Sequence, residues 1–213
     1  MPDFESRSPA DFDTLEAGTP ARKRPKPGER RLQILQMLAA LLEQPGAERI
    51  TTAALAARLQ VSEAALYRHF ASKAQMYEGL IEFIEQSVFS LVNQIVTREG
   101  GGAEQAARLV TVLLQFGERN PGMARVMAGD ALVFENERLQ QRMNQLFDKL
   151  EATLRQVLRE SAQADGSGTP SADAQVRASV LIAFAMGRLQ RFARSGYRRL
   201  PSEHLEAGLL KML

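Results

Sequence analysis

The chain has 213 residues, of which 45% are hydrophobic and 24% charged, with no cysteine, two histidines and a net charge of +2. This length allows one large domain or two small ones. The absence of cysteine excludes a disulfide scaffold and a thiolate zinc site, and only two histidines nearly exclude a multi-histidine metal centre within one chain. No apolar run reaches the roughly 18 residues that cross a bilayer, and the acidic start lacks the apolar stretch of a secretory signal, so a cytoplasmic protein without a membrane partner is expected.

Positive charge is concentrated in one short part of the chain. Residues 1–21 carry one Arg and five acidic residues, whereas residues 22–80 carry ten Lys or Arg and five Glu. The densest basic run begins with Arg22, Lys23 and Arg24. A basic run beside a small domain favours a polyanionic partner, most often nucleic acid, and a solubilising tail is the alternative.

Apolar residues recur with helical spacing along most of the chain after Arg30. Residues before that point are rich in proline and segregated charge and are predicted to be disordered. No segment alternates as a strand would, so the sequence predicts an all-α protein of about nine helices. The predicted helices span residues 30–42, 52–59, 63–70, 72–98, 103–117, 121–128, 134–161 and 173–195, with a weak helix after Pro201.

The two short helices at residues 52–59 and 63–70 carry the most informative pattern. A tight turn at Gln60 separates them, and Ser62 is placed to cap the second helix. Leu66 and Phe70 are spaced to face inward. This arrangement predicts a helix-turn-helix whose second helix enters the major groove of DNA, although two short helices joined by a turn also occur in proteins without a DNA role.

The outward residues of this pair have candidate tasks at DNA. The hydroxyls and backbone amides of Thr51 and Thr52, at the start of the first short helix, can bind a DNA phosphate. Tyr67 and His69 can also donate to phosphates, and Lys73 begins the next helix beside the same DNA backbone. Ala64 and Ala65 are small enough to allow close approach, and their methyl groups could contact thymine methyl groups. Glu63 could accept from a cytosine amino group, and Arg68 could contact guanine or phosphate. Alternatively, Tyr67 is a core aromatic and Lys73 a solvated charge. The full predicted set is Arg22, Lys23, Arg24, Thr51, Thr52, Ser62, Glu63, Ala64, Tyr67, Arg68, His69 and Lys73.

This segment closely resembles the DNA-binding region of the TetR family of repressors. The resemblance depends on Thr51/Thr52, Leu55-Ala56, Val61-Ser62, Leu66-Tyr67, His69-Phe70 and Ser72-Lys73 in the family's order and spacing. It implies a TetR-like fold: an arm at 1–28, a three-helix DNA-binding domain at 29–75, and a helical regulatory and dimerisation domain at 76–213. Gln60 departs from the family's usual Gly, and a left-handed Gln there would cost roughly 1–2 kcal/mol.

Segments within residues 48–160 are similar to the nucleoid occlusion branch of this family. That resemblance implies a nucleoid-associated homodimer that binds a palindromic double-stranded site and blocks ring assembly by the tubulin-like division protein FtsZ. It also implies a groove for the FtsZ tail, formed by Phe83, Leu113, Gly117, Arg119 and Asn120. Enteric members carry Arg where this chain has Leu91. Considered without the resemblance, Phe83 reads as a core residue and Arg119-Asn120 as a helix end.

The two long C-terminal helices are more apolar than one small core requires, which predicts a four-helix dimer interface. The residues concerned are Leu139, Met143, Leu146, Leu150, Leu154, Val157 and Leu158 on the first helix, and Val180, Leu181, Phe184, Ala185, Gly187 and Phe192 on the second.

Enzyme chemistry is not expected. The glycines at 100–102 lack the Lys-Ser/Thr of a phosphate loop, and the sequence predicts no catalytic residue, metal or cofactor. The rival prediction is a ligand-responsive repressor with an apolar pocket among residues 80–195.

Overall fold

The computed structural model describes residues 28–44, 50–97, 100–164 and 166–213. The predicted arm, with Arg22, Lys23 and Arg24, therefore lies outside the described residues apart from Gly28. The described chain is helical and contains no strand, as the sequence predicted. Its α-helices are α1 (Glu29–Leu42), α2 (Thr52–Leu59), α3 (Glu63–Tyr67), α4 (Lys73–Val96), α5 (Gly102–Arg119), α6 (Pro121–Met127), α7 (Glu137–Ala164), α8 (Pro170–Arg194) and α9 (Leu205–Met212).

The helix bounds differ from the predicted ranges by up to three residues, and two of these ends have a clear local cause. Helix α3 stops at Tyr67 because the chain turns there, with the His69 amide donating to the Leu66 carbonyl at 2.9 Å. Helix α7 begins at Glu137 because a short 3-10 helix (Asp130–Leu132) and a turn occupy the preceding residues. Hydrophobic periodicity does not distinguish such a turn from a first helical turn.

The apolar stripe of α7 packs within the protomer. The side chains of all seven predicted interface residues on α7, from Leu139 to Leu158, pack against the other helices. None of these seven residues is more than 4% exposed. The prediction that this stripe forms a dimer interface is therefore wrong. On α8, by contrast, Leu181 and Ala185 are buried while Val176 and Val180 are 63% and 47% exposed, so one face of this helix is not covered by the rest of the described protomer.

The DNA-binding and C-terminal regions are joined by α4 and by the contact of α1 with α6. Helix α4 is continuous across the predicted boundary at residues 75 and 76. A Cβ atom on Gly122 of α6 would lie 2.0 Å from the Ala39 carbonyl oxygen, so only glycine allows the two helices to approach this closely. No helix in the described part of the chain is long and apolar enough to cross a membrane.

Candidate nucleic-acid interface

The turn between α2 and α3 is closed by a left-handed residue. Gln60 has φ 55° and ψ 46°, and the Val61 amide donates to the Ala56 carbonyl at 3.0 Å. The left-handed conformation considered for Gln60 is thus confirmed. A non-glycine residue is strained in this conformation, so the turn is held by the packing of the two helices it joins.

Helix α3 presents a polar, accessible face. Leu66 and Phe70 are each 1% exposed and anchor the helix in the core. Tyr67 is 45% exposed, which excludes the alternative that it is a core aromatic. Of the residues predicted to face outward on this helix, five are exposed: Glu63, Ala64, Tyr67, Arg68 and His69. The sixth, Ala65, is half-buried, and the capping Ser62 is exposed.

Thr51 and Thr52 have different hydrogen-bonding roles. The Thr51 hydroxyl accepts from the Ala54 amide at 3.1 Å, and its own proton remains available for a phosphate. The Thr52 hydroxyl donates to the Glu63 carboxylate at 2.5 Å, so it cannot donate to phosphate at the same time. Glu63 consequently bridges α2 and α3, and base recognition by its carboxylate would require this bond to open.

Arg31 of α1 holds the turn that follows α3, a role that the sequence did not indicate. Its guanidinium donates to the His69 carbonyl at 3.0 Å and lies 4.1 Å from the centroid of the Phe70 ring. It therefore fixes the turn after α3 to α1. The two bonded residues are 38 positions apart, and no local motif signals such a contact.

Lys73 is not a solvated charge. It occupies the first position of α4, directly after the Ser72 cap, and its ammonium forms an ion pair with the Glu135 carboxylate. The ammonium also lies 5.6 Å from the centroid of the buried Tyr77 ring. Burial, followed by the nearby Glu135 charge, raises the pKa of Tyr77 well above its ordinary value. Lys73 thus lies at the start of α4, close to the helix-turn-helix, and its ammonium is paired with Glu135.

The five residues predicted to bind the FtsZ tail are not all accessible. Leu113 is 3% exposed, and a Cβ atom on Gly117 would lie 2.4 Å from the Leu189 side chain of α8. Both therefore pack inside the protomer, and their predicted direct contact with a peptide is not supported. Arg119 is exposed, Phe83 is half-buried, and the Asn120 side chain donates to the Phe116 carbonyl at 2.8 Å.

An apolar cleft of ≈ 920 Å³ lies between α5 and α9. Its walls include Ala107 and Val112 of α5 and Leu205 and Leu209 of α9. Its volume falls in the range of small-molecule sites. Among the described residues, no group of three or more His, Asp or Glu side chains is placed to hold a metal ion.

Comparisons with known proteins agree with this architecture. Residues 34–80 match the bacterial regulatory proteins of the tetR family, and residues 104–211 match the SlmA-like form of the tetracyclin repressor-like C-terminal domain. The nucleoid occlusion factor SlmA of Shewanella pealeana is 51% identical over 175 residues, which cover 82% of this chain and 88% of that protein. SlmA of Vibrio vulnificus is 50% identical over 182 residues, covering 85% and 92%.

Solved structures show the same fold. The transcriptional regulator FadR of Bacillus subtilis, in a complex with stearoyl-CoA, aligns with a TM-score of 0.70 at 15% identity. The alignment covers 85% of this chain and 96% of that structure. At this identity the likeness establishes the fold alone.

Proposed function

We propose that this chain, which belongs to the SlmA family of nucleoid occlusion factors within the TetR-type regulators, binds a palindromic DNA site as a homodimer and blocks FtsZ ring assembly over the DNA it occupies. The observation that carries the DNA-binding part is the exposed polar face of α3, held on a buried Leu66–Phe70 anchor. Identity of about half over most of the chain supports the nucleoid occlusion role.

DNA recognition is proposed to divide between α3 and its surroundings. Ala64 lies exposed near the start of α3, where a small side chain allows the helix to approach base edges. Tyr67 and His69 are placed to donate to phosphate oxygens, as is the free hydroxyl proton of Thr51. Arg68 is exposed and can reach either phosphate or a guanine edge. The basic run at Arg22, Lys23 and Arg24 is proposed to add contacts to the same duplex.

The uncovered face of α8 supports a homodimer. Val176, Val180, Ala183 and Gly187 are exposed at successive spacings of four, three and four residues, which places them on one side of the helix. A Cβ atom on Gly187 would meet no described residue of the same protomer within 4 Å, so a second helix could approach closely there. A two-fold axis through this face would pair two copies of α8 and present two recognition helices to a palindromic site.

Recognition of FtsZ is proposed to use the exposed end of α5. Arg119 makes no ion pair with any other described residue, so its charge is free for an acidic tail peptide. The half-buried Phe83 and the Asn120 side chain are proposed to contribute further contacts. Weak binding at one such surface would be amplified when several dimers occupy neighbouring DNA sites, because effective concentration rises with each added copy.

The experiment that tests this proposal measures the two binding reactions separately. Fluorescence anisotropy with a labelled palindromic duplex would report DNA binding, and a labelled FtsZ tail peptide would report the protein contact. Arg119→Asp should abolish peptide binding and leave DNA affinity unchanged, because Arg119 lies outside the helix-turn-helix. Arg199→Asp, an equal charge change at another exposed position, is the matched control. Equal peptide affinity in both variants would contradict the proposed surface.

The α5–α9 cleft favours a second candidate function, a ligand-responsive repressor. An apolar ligand in that cleft would have to change DNA affinity to act as an effector. If specific DNA binding responds to a small apolar molecule but never to FtsZ, the ligand-responsive function would replace the nucleoid occlusion role.

A further inference from the structure

Lys73 and Glu135 form a link between the DNA-binding region and the C-terminal region. Lys73 belongs to the helix-turn-helix segment, whereas Glu135 lies 62 residues later, between the 3-10 helix and α7. Their side chains are 23% and 10% exposed, respectively. The ammonium is thus paired in the DNA-free protein but still accessible from solvent.

A phosphate that approaches Lys73 must compete with the Glu135 carboxylate. The phosphate and the carboxylate both present anionic oxygens, so the accessible Lys73 ammonium can leave Glu135 and pair with the phosphate instead. We propose that Glu135 is a positioning residue that holds Lys73 in the DNA-free protein and releases it to a DNA phosphate on binding. This inference rests on the proposed DNA-binding function and adds to it a change of ion-pair partner at Lys73 when DNA binds.

The release of Glu135 would loosen a segment with exposed apolar side chains. Val133 and Phe134, directly before Glu135, are 68% and 66% exposed. The other hydrogen bonds described for this turn are local, such as the Glu135 amide to the Leu132 carbonyl at 3.0 Å. The next ion pair along the chain, Arg138 with Glu78, is already more exposed on its Arg side. The exchange at Lys73 therefore couples DNA occupancy to the mobility of residues 133–136.

The salt dependence of DNA binding tests the exchange. In the wild-type protein, Lys73 releases a counterion from DNA, while the negative charge of the freed Glu135 beside the same phosphate opposes part of that release. Glu135→Gln removes this opposition, which should steepen the slope of log K against log salt by up to about 0.9. At low salt the same variant should bind roughly two- to fivefold more tightly, the range expected for an accessible ion pair.

Two further variants separate this exchange from a general charge effect. Glu85→Gln removes an equal charge from a carboxylate that pairs with Lys149 of α7, away from the helix-turn-helix, and should leave the slope unchanged. In a Lys73→Met background, Glu135→Gln should no longer steepen the slope. Equal slopes in Glu135→Gln and wild type, or equal changes in Glu135→Gln and Glu85→Gln, would overturn the inference.

Hydrogen exchange on the unmodified protein gives an independent measurement that does not depend on any variant folding. Amides of residues 133–136 should exchange faster when the protein is saturated with its DNA site, and unchanged or slower exchange would contradict the release. If the wild-type protein shows no specific DNA binding, the proposed function itself fails. Specific binding with an unaltered slope in Glu135→Gln would overturn this inference alone.

Discussion

The Tyr197 hydroxyl donates a hydrogen bond to the Leu42 backbone carbonyl, with 3.1 Å between the two oxygens. Tyr197 lies on the turn after α8, and Leu42 is the last residue of α1, 155 positions earlier. The Arg125 guanidinium donates to the same carbonyl at 3.1 Å and to the Asp130 carboxylate at 3.0 Å. The end of α1 is therefore tied to both α6 and the turn after α8, which fixes the DNA-binding region on the rest of the protein.

Tyr197→Phe should lower the free energy of unfolding by about 0.5–1.5 kcal/mol, the usual contribution of one hydrogen bond. The loss is limited because Arg125 still donates to the Leu42 carbonyl. Denaturant unfolding at a fixed protomer concentration would measure the change. Tyr67→Phe, at an exposed position, is the control, and an equal stability in the two variants would contradict a role for this bond.

Gln60→Gly should stabilise the protein by about 0.5–1 kcal/mol. Glycine adopts the left-handed conformation without the clash of a Cβ atom, and the entropy of the unfolded glycine removes part of that gain. Thermal unfolding would show a higher midpoint. A lower midpoint would mean that contacts of the Gln60 side chain outweigh its backbone strain.

The helices could be predicted from the sequence because capping residues and apolar periodicity are local signals. Ser62 caps α3 as predicted, and Ser72 caps α4, which was predicted to begin at that residue. Gln60 occupies the predicted turn. The contacts of Arg31 with His69 and of Lys73 with Glu135 could not be predicted, since they join residues 38 and 62 positions apart. Periodicity identified the apolar stripe on α7, but it does not distinguish a stripe buried within the protomer from one buried at a dimer interface.

Substitutions on α3 should separate charged from neutral contacts with DNA. Arg68→Ala should flatten the slope of log K against log salt by about 0.9 if Arg68 binds phosphate. If it binds guanine, the loss should instead be confined to sequences that carry that base. Tyr67→Phe removes only a neutral donor, so it should weaken binding to all sequences without altering the slope. Unchanged affinity in both variants would contradict the assignment of α3 as the recognition helix.

Alkaline pH should destabilise the folded protein through Tyr77. Burial raises the pKa of Tyr77 in the folded state, so folding favours the protonated phenol. The corresponding stability is complete below the unfolded pKa near 10 and falls above it, at up to about 1.4 kcal/mol per pH unit. Tyr77→Phe should therefore show a shallower loss of stability above pH ~10 than the wild type. Parallel curves would contradict this contribution of Tyr77.

Val180→Glu should convert the proposed dimer into monomers, because it places a charge on the uncovered face of α8. Sedimentation velocity would measure the mass in solution, and affinity for the palindromic duplex should fall with dimerisation. Leu210→Glu is the control, since Leu210 is 78% exposed on α9 and lies outside the α8 face. A dimer that persists in Val180→Glu but not in Leu210→Glu would place the interface elsewhere.

The central claim, that this protein blocks FtsZ assembly when bound to DNA, is tested most directly by co-sedimentation of FtsZ polymers. FtsZ would be assembled with the purified protein, either alone or saturated with its specific duplex, and the pelleted fraction measured. We expect the DNA-bound protein to reduce the pellet, and Arg119→Asp bound to the same DNA to leave it intact. An unchanged pellet with the DNA-saturated wild-type protein would contradict the account.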